Sequence, residues 1–99
     1  MSKHAKLLLV RQSDDGEFEV ENTPGHWIKC ESKADAKILS EAPVLEASWL
    51  NDRRIDKIIS KKFDNTAKKM EQYKMRRVAL RFRKWAKLAS GQNIKQNEE

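Results

Sequence analysis

Residues 66–91 read TAKKMEQYKMRRVALRFRKWAKLASG. Stepped at about 100° per residue, the helical turn, Met75, Val78, Ala79, Phe82, Trp85, Ala86 and Ala89 fall within an arc of about 120°. The period predicts one long amphipathic helix from about Thr66 to about Ser90. Asp64-Asn65-Thr66 forms a capping cluster before it, and Gly91 is a natural stop. An apolar stripe on a helix is ordinarily core. The rest of this helix is cationic: Lys69, Arg76, Arg77, Arg81, Arg83, Lys84 and Lys87, with Glu71 the only acid between Thr66 and Ala89. Tyr73, Leu80 and Leu88 interrupt the basic face without joining the stripe.

Working outward, the charge of the whole chain proves to be sorted. Residues 53–89 hold fourteen Lys and Arg against three acids, a net of +11, whereas residues 12–52 hold three lysines against ten acids, a net of −7. Like charges at i,i+4, as in Arg77–Arg81 and Arg83–Lys87, cost a helix a few tenths of a kcal/mol each. A helix selected only for solubility would interleave glutamate. The basic face therefore reads as functional even though the stripe reads as core. Pairing of the basic helix with the acidic half would be a weak reason for such sorting, because surface ion pairs contribute little stability.

Upstream, three short extended segments are expected. Residues 5–11 are apolar enough for a strand buried on both faces. Ser13-Asp14-Asp15-Gly16 is a turn signal, and Phe18 and Val20 then alternate with Glu17, Glu19 and Glu21 as on a strand with one wet face. Asn22-Thr23-Pro24-Gly25 is a second turn before a third strand over 26–31. Ser32 caps a helix with Asp35 at capping-box spacing, and Ile38 and Leu39 form its apolar stripe. Pro43 either ends that helix or begins the next, which carries Val44, Leu45, Trp49 and Leu50. Asn51-Asp52 breaks the chain again before Ile55, Ile58, Ile59 and Phe63.

The fold class is thus α+β: a small antiparallel N-terminal sheet (5–31), short helices (32–63), then the long basic helix (66–90). Residues 1–91 make one small domain, and 92–99 form a polar, frayed tail.

Catalysis and cofactors find no support in the chain. The three glycines are isolated, so there is no phosphate loop and no nucleophile elbow. His26 and Cys30 would need two further ligands to hold zinc, and His4 is the only other histidine. Both read as structural, and no metal or cofactor is expected. Three glutamates alternating with Phe18 and Val20 read as a wet strand face rather than an acid–base centre. One cysteine cannot form an internal disulfide, the N-terminal apolar run is too short for a signal peptide, and no stretch approaches a membrane span. An intracellular, soluble, cytoplasmic protein is the expectation.

Three kinds of partner suit the basic face. Nucleic acid comes first, DNA or RNA, with the cations on phosphates and Tyr73 or Trp85 stacked on bases. An acidic protein groove comes second, with Phe82, Trp85 and Leu88 as anchors and the cations as a rim. An anionic membrane surface comes last and is disfavoured. In size, basicity and lack of motif the chain is similar to accessory proteins carried by phages. That likeness implies the alternative to direct binding: inhibition or modulation of a host nucleic-acid-processing enzyme, such as a recombination nuclease. The leading expectation is a non-catalytic nucleic-acid-associated protein.

Overall fold

A computed structural model of the chain describes residues 5–92. The expected tail lies outside the described residues apart from Gln92. The fold is α+β, with a three-stranded antiparallel sheet followed by three helices. The chain divides into two compact units, with the division after Ala47.

The first unit is a meander of β1 (Val10–Gln12), β2 (Phe18–Thr23) and β3 (His26–Cys30), in that spatial order. The expected turns form it. Gly16 takes a φ of 87° and donates its amide to the Ser13 carbonyl at 2.9 Å, and Gly25 takes a φ of 82°. Both are left-handed conformations that glycine adopts without strain. The register Phe18↔Cys30 and Val20↔Ile28 puts the even-numbered residues on one face, where Val20 and Cys30 are buried. The first strand departs from expectation. Only residues 10–12 are strand, they lie at an edge, and Leu7, Leu9 and Val10 are exposed. An apolar run of this length cannot distinguish a central strand from an edge one.

Helix α1 (Lys33–Leu50) begins at Ser32, whose hydroxyl accepts from the Asp35 amide at 3.1 Å. It neither ends nor restarts at Pro43 but runs through it. A proline deletes the one hydrogen bond that its missing N–H would donate and crowds the preceding turn. Buried Ala36, Leu39 and Ala42, one helical turn apart, supply the packing that sustains the helix past that loss.

The second unit is an antiparallel hairpin of α2 (Lys57–Gln72) and α3 (Arg76–Ala89), and it corrects the long helix expected over 66–90. Helix α2 starts nine residues earlier than expected. Asp56 caps it, its Oδ1 accepting from the amides of Ile58 at 3.0 Å and Ile59 at 3.1 Å. Asp64, Asn65 and Thr66, expected to cap, lie inside the helix, and Thr66 is buried. The chain then breaks at Tyr73–Met75. The Met75 amide bonds the Met70 carbonyl at 2.7 Å and the Lys74 amide bonds that of Glu71 at 3.1 Å. That pair of bonds is a Schellman stop, with Lys74 at its left-handed position (φ 65°).

The seam of the hairpin is built from small and aromatic residues. Ala67, Ala79, Ala86 and Ala89 are buried and let the helices approach closely. Ser60 donates its hydroxyl to the Ala86 carbonyl at 2.6 Å, and the Asp56 amide donates to that of Ala89 at 2.7 Å. Phe63 meets Phe82 edge-on at 5.5 Å and Trp49 at 5.6 Å, and Trp49 meets Trp85 at 5.6 Å. The Trp49 indole, 1 % exposed, satisfies its N–H on the Arg54 carbonyl at 2.9 Å.

Candidate nucleic-acid interface

The hairpin carries the positive charge. Residues 48–92 contain fourteen Lys and Arg against four acids, a net of +10. Those four acids are all engaged. Asp52 and Asp56 each lie 3.4 Å from the Arg54 guanidinium. Glu71 receives a two-pronged bond from Arg83, Nε to Oε2 and Nη2 to Oε1, both at 2.8 Å. Asp64 stands 3.6 Å from the same guanidinium. Asp64 and Glu71 are seven residues apart on α2 and share a face, so Arg83 staples α3 to α2. The fork holds the Glu71 carboxyl below its usual range and pushes the Arg83 guanidinium higher still.

The remaining predicted cations separate by environment. Arg76, Arg77, Lys84 and Lys87 are exposed, and among the described residues no carboxylate reaches them. Arg81 is exposed and lies 5.9 Å from the Phe82 ring. Lys69 is half-buried and donates to the Gln72 amide oxygen at 3.3 Å. Tyr73 is the half-buried C-cap of α2. Trp85 is half-buried against Trp49, with the Arg53 guanidinium 5.6 Å and the Lys84 ammonium 5.9 Å from its ring. Phe82 is 1 % exposed. The expectation that it anchors a partner is corrected: it fills the seam of its own hairpin.

The structure also adds Lys57, Lys61 and Lys62, which precede the expected helix start at Thr66, and Lys68 within it. All four are exposed on α2, in the same unit as the arginines of α3. Lys74, Arg76 and Arg77 cluster at the tip of the hairpin, where α3 begins with no side-chain cap and no acid in its first turn. Two guanidiniums at the positive end of a helix dipole are unfavourable by about 0.3–1 kcal/mol each, and an anion placed there offsets that cost.

The other sequence candidates lie in the first unit. Glu19, expected on a wet face, is 8 % exposed and accepts from Arg11 Nε at 2.7 Å, while the Arg11 guanidinium lies 3.8 Å from the centre of the Trp27 ring. Lys29 pairs with Glu17 at 3.2 Å and Asp15 at 3.7 Å, and its pKa is raised, chiefly by the hydrogen bond to Glu17. A hydrogen bond from the Ser13 hydroxyl leads the causes that lower the Asp15 carboxyl. Burial, and then the Asp35 charge, push the Cys30 thiol up, away from the thiolate a nucleophile needs.

No known protein family, curated protein or solved structure matches the chain. Among the described residues no helix is long and apolar enough to cross a membrane.

Proposed function

We propose that this chain is a non-catalytic nucleic-acid-associated protein that grips phosphates with the outward face of α3. One observation carries the reading. Arg76, Arg77, Lys84 and Lys87 stand exposed on a helix in whose unit every carboxylate among the described residues is already engaged by Arg54 or Arg83. Cations left over in this way are matched by a polyanion, whose condensed counterions they release on binding.

The rival reading, a modulator of a host enzyme anchored by Phe82 and Trp85, draws less support. Phe82 is sealed in the seam and Trp85 lies half-buried on Trp49. An interfacial-membrane reading also draws less, because the apolar stripe of α3 is largely buried and cannot enter a bilayer. A single cysteine, free and buried, suits a reducing compartment such as the cytoplasm.

The test is the fourfold variant Arg76→Gln, Arg77→Gln, Arg81→Gln, Lys84→Gln. Arg83 is left out because its staple on Glu71 and Asp64 is structural. The variant should keep the parent's far-ultraviolet circular dichroism and melting temperature. It should lose salt-sensitive binding of DNA or RNA by at least about a hundredfold. A folded variant that binds as tightly as the parent contradicts the reading.

A further inference from the structure

Leu80 is left unexplained by the core, and it lies in the middle of the cationic ridge. It is 68 % exposed on α3, on the side away from buried Ala79, Phe82 and Ala86. Arg76 and Arg77 lie one turn before it, Lys84 one turn after, and Arg81 adjoins it. A leucine so placed gains no burial in the isolated chain. The same ridge laid in a groove of nucleic acid gives it a role: flanking cations reach the phosphates on either side, and the leucine meets base edges between them.

Groove size and chemistry select the ligand. An α-helix with its side chains is about 10–12 Å across, and the major groove of B-DNA is about 12 Å wide. The major groove of duplex RNA is deep and narrow and does not admit a helix. Single strands are bound through aromatic stacking, and this ridge presents no aromatic ring. The apolar group in the DNA major groove is the C5-methyl of thymine. We propose that α3 enters the major groove of duplex DNA and that Leu80 is its specificity-determining contact, packing on thymine methyl groups. The inference rests on the phosphate reading above and gives it a ligand class and a base preference.

The experiment uses the full chain and four labelled probes of equal length, read by fluorescence anisotropy. They are an alternating A·T DNA duplex, the same duplex with dU in place of dT, the corresponding RNA duplex, and single-stranded dT. The parent should bind the dT duplex most tightly. Loss of the methyls should weaken it about three- to fivefold, the value of one buried methyl. Leu80→Ala should bind both DNA duplexes equally, at about the parent's affinity for the dU duplex. Leu80 is exposed, so the variant folds. Equal binding of dT and dU duplexes by the parent, a dT preference that survives in Leu80→Ala, or RNA or single strand bound as tightly as duplex DNA overturns the inference while leaving phosphate binding intact. No binding to any probe overturns both.

Discussion

The two units use charge in opposite ways. In the sheet, cations meet acids locally: Arg11 on Glu19, and Lys29 on Glu17 and Asp15. In the hairpin, two arginines hold all four acids of residues 48–92, and most of the remaining cations face water. The first arrangement fastens a small sheet. The second leaves a surface of one sign, held in shape by an apolar seam instead. Charge in the sheet is a structural material, and charge on the hairpin is a surface property available to a ligand.

The sharpest way to break this contrast is to damage the seam. Phe82→Ala removes a buried ring that packs edge-on against Phe63. It should cost about 3–5 kcal/mol. Denaturant melts should show the hairpin unfolded or nearly so, and a loss below about 1 kcal/mol would mean that the seam does not hold the unit. Next come the paired charges. Arg11→Ala leaves the Glu19 carboxylate buried without its partner and uncovers Trp27. A loss of about 1–2 kcal/mol is expected in the same melts. Arg77→Ala, on the exposed face of α3, should stay within about 0.5 kcal/mol of the parent. Similar losses for the two arginines would erase the distinction between the units.

How much of this was legible in the sequence is best seen at the two ends of the hairpin's helices. Both α2 and α3 finish in the same motif. At the second, Gly91 (φ 99°) donates to the Leu88 carbonyl at 3.0 Å and Gln92 to that of Lys87 at 3.0 Å. A glycine there announces the stop, and α3 ends at Ala89, where the sequence predicts it. At the first, the left-handed position is filled by Lys74, a good helix former, within an unbroken run of helix formers. Nothing local marks that stop, so two helices read as one.

The break at Lys74 also shapes the site. Without the break there is no hairpin, and without the hairpin Arg83 has no route to Glu71, twelve residues away. The stripe, the excess of cations and the sheet turns were legible because period, count and Asp-Gly chemistry are local properties. The staple, the burial of Glu19 and the passage of α1 through Pro43 were not, because tertiary packing decides them.

The mismatch at Lys74 supplies a smaller test. A non-glycine residue at positive φ carries strain of about 1 kcal/mol, so Lys74→Gly should raise stability by about 0.5–1 kcal/mol. A lowered melting temperature would show that the turn gains from its lysine. The smallest expected effect belongs to Glu71, which is exposed. The hydrogen bonds from Arg83 hold its carboxyl below the ordinary glutamate range, so the pairing stabilises the fold above that range and is lost as pH falls through the depressed value. Parent and Glu71→Gln should therefore differ slightly in stability at neutral pH and converge in acid. A difference that grows on acidification would contradict the staple.

The most direct test of the leftover charge is the salt dependence of duplex-DNA binding by the full chain. If Arg76, Arg77, Lys84 and Lys87 each neutralise a phosphate, the logarithm of the affinity should fall against the logarithm of salt with a slope of about −3 to −4. Lys84→Gln should reduce that slope by about one. A slope near zero, or no change in Lys84→Gln, would contradict the account.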